Sequence, residues 1–178
     1  MKKNNYPGKF IVFEGLDGSG QSTEARLLKE FLETQGQKIL LTKEPTKESF
    51  AGRKIEKILS EKEKISPLEL QELFAKDREG HLKNAVEPAL RRGESVISDR
   101  YCFSSFAYGL ADGVPLKELR RLNEDFLLPD IVFFLDAKPK VCVQRIEKRG
   151  KKETLFEKIE KLNQTRFKNL TQHYGNIP

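Results

Sequence analysis

The chain has 178 residues, of which 37% are hydrophobic and 34% charged, and its formal net charge is +6. This length suits one compact domain with one core. No apolar run approaches the roughly 20 residues of a membrane span, and the first residues lack an apolar stretch of signal-peptide length. We therefore expect a cytoplasmic protein. Cys102 and Cys142 are too few for a disulfide scaffold and badly spaced for zinc, so both are expected to be reduced thiols.

The positive charge is spread along the chain between acidic residues, which is typical of a solvated surface. No basic stripe is interleaved with aromatic residues, so the pattern argues against a nucleic-acid partner. His81 and His173 lack a second plausible ligand nearby in the sequence, which leaves a histidine metal cluster without support. A phosphorylated small molecule fits the mild positive charge better.

Short apolar runs predict buried parallel strands at residues 10–13, 39–41, 96–97 and 131–135. Helical patterns separate these runs, and Gly36 stands where the first helix would end. Alternation of strands and helices predicts an α/β/α fold, with a parallel sheet covered on both faces. Ligands of such sheets bind beyond the carboxyl ends of the strands.

A second helix start is predicted at Ser66-Pro67-Leu68-Glu69. Serine is a favoured N-cap, proline suits the first helical position, and a glutamate three residues after the serine can close a capping box. Residues 66–69 therefore mark the beginning of a helix.

A phosphate-binding loop is predicted directly after the first strand, in Gly15-Leu16-Asp17-Gly18-Ser19-Gly20-Gln21-Ser22. This is G-x-x-x-x-G-K-[ST] with Gln21 in place of lysine. Glycines allow backbone N–H groups to surround phosphate oxygens, the helix N-terminus adds partial positive charge, and Ser22 can ligate Mg²⁺. The alternative is a glycine-rich turn without a ligand. The predicted phosphate-binding residues are Gly15, Gly18, Ser19, Gly20, Gln21, Ser22 and Thr23.

Gln21 removes a charge that phosphoryl transfer normally uses. A lysine here neutralises the β and γ phosphates, whereas a glutamine amide donates a neutral hydrogen bond. The loss is expected to cost on the order of 10² to 10³ in rate unless another cation reaches the same oxygens. Lys151 and Lys152 are candidates for that cation, and an exposed basic loop is the alternative interpretation.

The motif Asp99-Arg100-Tyr101 ends the third predicted strand, and Ser104-Ser105-Phe106-Ala107-Tyr108 follows it. These residues resemble the thymidylate kinase family, whose members carry Asp-Arg-Tyr followed by Ser-Ser/Thr-x-Ala-Tyr-Gln. The similarity runs from Phe10 to about Tyr174 and departs at Gly109, where the family has glutamine or asparagine. It also includes His81, Glu87-Pro88-Ala89-Leu90 and Gly93.

The resemblance implies a P-loop kinase that transfers a phosphoryl group from Mg²⁺-ATP to dTMP and forms a homodimer. Arg100 would bind the acceptor phosphate, for which its planar, permanently charged guanidinium is suited. Asp99 would hold Mg²⁺ together with Ser22. The pattern alone favours Asp136 as the metal-holding acid, because it ends the stronger apolar run.

The resemblance also implies contacts with the rest of dTMP. Phe74 would stack on thymine and Arg78, four residues later on the same helix face, would hydrogen-bond its O4. Without the resemblance, Phe74 would suit a core position. Asp17 would lie near the acceptor sugar or, alternatively, cap the loop. The other implied contacts are Arg53, Ser104, Ser105 and Tyr108, for which a solvated helix face or helix capping is the alternative.

Residues 143–156 resemble the family's mobile lid, in which Arg145 and Arg149 would bring positive charge to the transferred group. Lys43-Glu44-Pro45 resembles the family's Arg-Glu-Pro turn with lysine in first place. The family continues beyond the position of Pro178 with a fifth strand, so a sheet of four strands is expected here, in a single domain over residues 1–178.

Two functional hypotheses follow. The first is a thymidylate kinase, with deoxyuridylate or another pyrimidine monophosphate as an alternative acceptor. The second is a non-catalytic nucleotide-binding relative, motivated by Gln21 and the missing fifth strand. Presence of the whole acceptor site, with Phe74, Arg78, Asp99 and Arg100, favours the kinase.

Overall fold

The computed structural model describes residues 1–149 of the chain. Four parallel strands form the main sheet in the order β3-β4-β2-β6, and β1 pairs in parallel with β5 in a separate two-stranded sheet. The strand that precedes the phosphate loop, β2, therefore lies inside the main sheet. The strands are β1 (Lys2–Lys3), β2 (Phe10–Gly15), β3 (Ile39–Lys43), β4 (Ser95–Asp99), β5 (Leu127–Leu128) and β6 (Ile131–Leu135).

Helices connect the strands of the main sheet, as the alternating pattern predicts. A π-helical turn, Leu82–Val86, joins α3 to α4. None of the helices within residues 1–149 is long and apolar enough to cross a bilayer. The helices are α1 (Gln21–Thr34), α2 (Phe50–Leu59), α3 (Pro67–His81), α4 (Glu87–Arg91), α5 (Cys102–Ala111), α6 (Leu116–Asn123) and α7 (Pro139–Lys148).

The local signals at the helix ends are confirmed. At the start of α3, Ser66 Oγ accepts a hydrogen bond from Glu69 N (3.3 Å), and Ser66 N donates to Glu69 Oε2 (2.8 Å). Beyond the C-terminus of α1, Gly36 has a φ of +77°, a left-handed conformation that glycine adopts without strain.

The two inner strands carry the core on both faces of the sheet. Phe10 and Val12 of β2 pack in one cluster with Val96, whereas Ile11 and Phe13 pack on the other face with Ala25 of α1. Alternate residues of β2 therefore contact opposite layers, as expected for a parallel strand between helices.

The prediction of four buried strands is wrong for the edges of the sheet. In β6, the side chains from Ile131 to Phe134 are 39% to 46% exposed, although Phe133 stacks on Phe13 with ring centroids 5.1 Å apart. β3, at the other edge, is half-buried. Among residues 1–149, β3 and β6 each have a neighbouring strand on one side only, a position that apolar composition alone does not reveal. The short β1–β5 sheet was also not predicted.

Gly109, where the chain departs from the family motif, lies at a close contact between two helices. A Cβ at this position would lie 2.6 Å from Leu119 Cδ2 and 3.3 Å from Gln71 Cδ. Leu119 is fully buried in α6, so it has little room to move. Because glycine has no side chain, α5 and α6 can approach each other closely at Gly109. This packing explains why the chain lacks the family's glutamine or asparagine at this position.

Both cysteines are free and buried, as expected for reduced thiols. Burial raises the pKa of the Cys102 thiol far above its ordinary value. A thiol in this environment stays protonated and unreactive.

Candidate active site

The candidate active site lies where the carboxyl ends of β2, β3 and β4 meet the N-terminus of α1. Gly18 has a φ of +82° and Gly20 a φ of +112°, conformations that a residue with a Cβ adopts only under strain. The backbone N–H groups of Thr23 and Glu24 donate to Gly20 O, which begins α1. The loop therefore presents the positive end of a helix to a bound anion.

Gln21, the departure from the phosphate-loop motif, is used inside the loop. Its side chain is buried, and Nε2 donates a hydrogen bond to Gly15 O (3.0 Å). The Gln21 amide therefore stabilises the strand-to-loop turn. It does so from the position where the motif has a lysine that would supply charge.

Ser22 and Asp99 form a pair of oxygen ligands. Ser22 Oγ donates to Asp99 Oδ2, and the carboxylate is almost fully buried. The second oxygen, Asp99 Oδ1, is buried and has no hydrogen-bond partner within residues 1–149. A hydroxyl and a carboxylate with a spare oxygen fit Mg²⁺, which prefers a few protein oxygens. Asp136, the alternative from the sequence pattern, is exposed at the end of β6.

Lys43, at the carboxyl end of β3, lies beside this pair. Its Nζ is 2.6 Å from Asp99 Oδ2 and 3.4 Å from Ser22 Oγ. The sequence placed Lys43 in a family motif but gave it no role in the site. Its proximity depends on the parallel register of β3 and β4, in which Lys43 lies opposite Asp99.

Arg100 is brought together with four other predicted site residues. Its Nη1 donates to Gly15 O (3.0 Å) and Ser104 Oγ (2.9 Å), and its Nη2 pairs with Asp17. The guanidinium carbon lies 5.7 Å from the centre of the Tyr108 ring. Arg100 also has a φ of +74°, a costly conformation for a residue with a side chain. This backbone aims the guanidinium at the phosphate loop.

Glu14 holds the segment around Arg100 and was not predicted. Its carboxylate accepts hydrogen bonds from Tyr101 N (2.9 Å), Ser104 N (3.2 Å) and Ser104 Oγ (2.7 Å). Burial raises the pKa of Glu14 to about 7, although Arg100 and these hydrogen bonds oppose the rise. An acid inside an otherwise apolar strand was the signal in the sequence that could have revealed it.

The raised pKa of Glu14 predicts a pH-dependent stability. Its pKa of about 7 in the folded protein exceeds the ordinary 4.5. The contribution of Glu14 to the free energy of unfolding is therefore fully present below pH 4.5. This contribution is lost as pH rises to 7, by about 3 kcal/mol in total. Glu14→Gln removes the titrating group. Urea unfolding from pH 4.5 to 8 should show the variant gaining about that amount relative to the natural chain.

Glu72→Gln, at an exposed position of α3, is the control for this experiment, because removing a solvated carboxylate leaves the burial of Glu14 unchanged. A constant difference between Glu14→Gln and the natural chain across the pH range would contradict the titration of Glu14.

Arg78 lies in a buried polar network. It is 2% exposed, and it donates to Glu44 Oε2 (2.8 Å), Asn123 Oδ1 (2.6 Å) and Ser105 Oγ (3.2 Å). His81 Nδ1 lies 3.0 Å from the other Glu44 oxygen. These bonds use three of the five N–H groups of Arg78, and the other two have no hydrogen-bond partner in the described part of the chain.

Phe74 is half-buried on α3, one turn before Arg78, and packs against the cluster that contains Leu70 and Tyr108. Asp77, on the same helix, accepts hydrogen bonds from Thr46 N (2.7 Å) and Thr46 Oγ1 (2.6 Å). This contact fixes the loop after β3 against α3. The loop and α3 form two walls of a cleft that reaches Ser22, Lys43 and Asp99.

The predicted arginines outside this cluster are placed differently. Arg145 of α7 donates from Nη1 to Ser19 O (2.8 Å), so it lies against the phosphate loop. A Cβ on Gly18 would lie 2.5 Å from Cys142 O, which shows how closely α7 approaches the loop. Arg149 is exposed just beyond α7, and Arg53 is exposed on α2, where it donates to Glu48 O.

The predicted lid is described in part. Residues 143–148 belong to α7, whereas residues 150–156, with Lys151 and Lys152, lie outside the described residues. That this segment is a mobile lid, and that Lys151 or Lys152 replaces the charge of the loop lysine, stay predictions.

The topology and the loop define the class of protein. A parallel sheet in which the loop strand is internal, followed by a glycine-bearing turn into a helix, is the P-loop NTPase arrangement.

Comparison with known proteins gives the family. The family model for thymidylate kinase matches residues 13–175. A probable thymidylate kinase of Pyrococcus horikoshii is 43% identical over 160 residues, which cover 87% of this chain and 77% of the relative. One of Archaeoglobus fulgidus is 40% identical over 157 residues (88% and 78%), and a thymidylate kinase of Caldicellulosiruptor saccharolyticus is 39% identical over 154 residues (83% and 74%). The chain belongs to the thymidylate kinase family.

Proposed function

We propose that this protein transfers the γ-phosphoryl group of ATP to dTMP, giving dTDP and ADP. The observation that carries the proposal is the position of Arg100, whose guanidinium joins the phosphate loop at Gly15 O to Ser104 on α5. An arginine at the boundary of a donor loop and a second cleft is suited to hold an acceptor phosphate in line with the donor.

The donor half of the site consists of the phosphate loop and the oxygen pair. Backbone N–H groups of the phosphate loop and the N-terminus of α1 would bind the phosphates of ATP. Ser22 and Asp99 would hold Mg²⁺, which neutralises phosphate charge when bound. Arg145, which already contacts Ser19 O, is close enough to the loop to add a charge on the same side.

The acceptor half consists of α3, α5 and Arg100. Phe74 would stack on the thymine ring, and Arg78 would use a free N–H group to bind its O4, with Ser105 beside it. Ser104 and Tyr108 would line the sugar and phosphate region, where both contact Arg100. Asp17 would bind the acceptor sugar, and Arg53 would have to turn from Glu48 O to reach the acceptor phosphate.

Catalysis would then rest on positioning and charge neutralisation. Phosphoryl transfer between two bound nucleotides needs no covalent intermediate with the protein. Arg100, Arg145 and Arg149 would stabilise the charge of the transferred group, and the lid around Arg149 would exclude water. A homodimer, implied by the family resemblance, and residence in the cytoplasm, expected from the sequence, are further parts of the proposal.

The test is a direct assay of the two products. ADP and dTDP would be measured from Mg²⁺-ATP with dTMP, beside parallel reactions with dUMP, dCMP and AMP. We expect turnover that is selective for dTMP. Binding of dTMP without formation of dTDP would contradict the kinase and support the non-catalytic relative. Turnover with all four acceptors alike would contradict the assignment of Phe74 and Arg78 to thymine.

A further inference from the structure

The phosphate loop lacks a basic side chain of its own. Gln21 is buried and its amide is committed to Gly15 O, so it cannot neutralise the β and γ phosphates of ATP. In the part of the chain that the structure describes, two arginines approach the loop, but Arg100 contacts Gly15 O and Asp17, and Arg145 contacts the carbonyl groups of Gly18 and Ser19. Neither contacts Ser22, where a nucleotide phosphate shares the metal with the loop.

Lys43 occupies this side of the site. Its Nζ lies 2.6 Å from Asp99 Oδ2 and 3.4 Å from Ser22 Oγ, at the N-terminus of α1. The ammonium is half-exposed and the Asp99 carboxylate is buried, with side-chain exposures of 57% and 6%. The side chain of Lys43 therefore pairs with a buried carboxylate and is exposed to the open cleft that also contains Ser22.

An ion pair with Asp99 accounts for part of the lysine's position. A half-exposed ion pair contributes little to stability, since water screens it. An ammonium on a four-carbon stem is mobile, and it can exchange a carboxylate oxygen for a phosphate oxygen nearby without moving the backbone. Lys43 is thus placed to bind phosphate from strand β3, whereas a loop lysine would bind it from α1.

We propose that Lys43 supplies the charge that Gln21 lacks, by binding the β- and γ-phosphate oxygens of ATP beside Ser22. The inference deepens the proposed function and rests on it for the identity of the donor. It concerns the polyphosphate alone, so it can be tested by nucleotide binding without turnover.

The experiment measures dissociation constants of a non-hydrolysable ATP analogue, ADP and AMP by calorimetry, with Mg²⁺ and with a chelator. Lys43→Met removes the charge, and Lys43→Arg keeps it. Gln21→Lys restores the loop lysine, alone and combined with Lys43→Met. Lys9→Met is the matched control, because Lys9 is also half-exposed and pairs with an aspartate, Asp130, at the amino end of β2.

Lys43→Met should weaken the ATP analogue about tenfold to a hundredfold, the range for a hydrogen bond to a charged group. AMP binding should change less than about threefold, because AMP lacks the β and γ phosphates. Lys43→Arg and Lys9→Met should bind like the natural chain. Adding Gln21→Lys to Lys43→Met should restore binding of the analogue, with and without Mg²⁺.

Three outcomes would overturn the inference. Unchanged binding of the analogue by Lys43→Met would show that the lysine is only a counter-ion of Asp99. Equal weakening of the binding of the analogue and of AMP would show that its role is structural. If Lys43→Arg did not preserve binding of the analogue and Gln21→Lys did not restore it, a role for the charge of Lys43 would be excluded. Lys43-dependent binding of the analogue by a chain that forms no dTDP would contradict the kinase and leave this inference intact.

Discussion

Replacing Arg100 with methionine should lower kcat/KM for dTMP by about a thousandfold, the scale of losing a preorganised charged donor. The guanidinium lies between Gly15 O, Asp17 and Ser104, and the left-handed backbone at Arg100 directs it there. Steady-state kinetics with varied dTMP at saturating Mg²⁺-ATP would measure the effect.

Arg92→Met is the control, since Arg92 is an exposed arginine whose contacts are with Glu94. It should leave kcat/KM within about twofold of the natural value, as a substitution on a solvated surface does. An Arg100→Met variant with a normal KM for dTMP and a normal kcat would show that the acceptor phosphate binds elsewhere.

The second large effect is on stability. Arg78→Met should lower the free energy of unfolding by about 3 to 5 kcal/mol, because it leaves the charge of Glu44 buried without its arginine. Both side chains are almost fully buried, and the arginine also satisfies Asn123 and Ser105. Urea unfolding at pH 8 would measure the loss.

Two further variants separate the buried charge from general loss of packing. Arg91→Met removes an exposed arginine that pairs with Glu87, and it should leave the free energy of unfolding nearly unchanged. Combining Arg78→Met with Glu44→Gln should recover part of the loss, because the unpaired charge is gone. A double variant as unstable as Arg78→Met alone would contradict the explanation by charge.

Local patterns predicted the elements around the site. The run at residues 10–13 and the glycines that follow it specify a strand, a turn and a helix start within a dozen residues. The capping box at Ser66 is likewise a property of four consecutive residues. Such features depend on nearby atoms, so the sequence shows them directly.

Features that join distant parts of the chain were not predicted. Lys43 meets Asp99 through the register of two strands, and Glu44 meets Arg78 and His81 across 34 and 37 residues. Within residues 1–149, β6 lies at the end of the strand order of the main sheet, which accounts for its exposure. Each depends on tertiary packing, which apolar periodicity does not encode.

The shared network of Arg78 has a consequence for how this protein can evolve. The side chain proposed to select thymine is also the partner of the buried carboxylate of Glu44 and of Asn123. A mutation that changes the preferred base at this position therefore lowers stability at the same time. New acceptor specificity would have to be preceded by a compensating change, and Glu44 is the position where that change would relieve the buried charge.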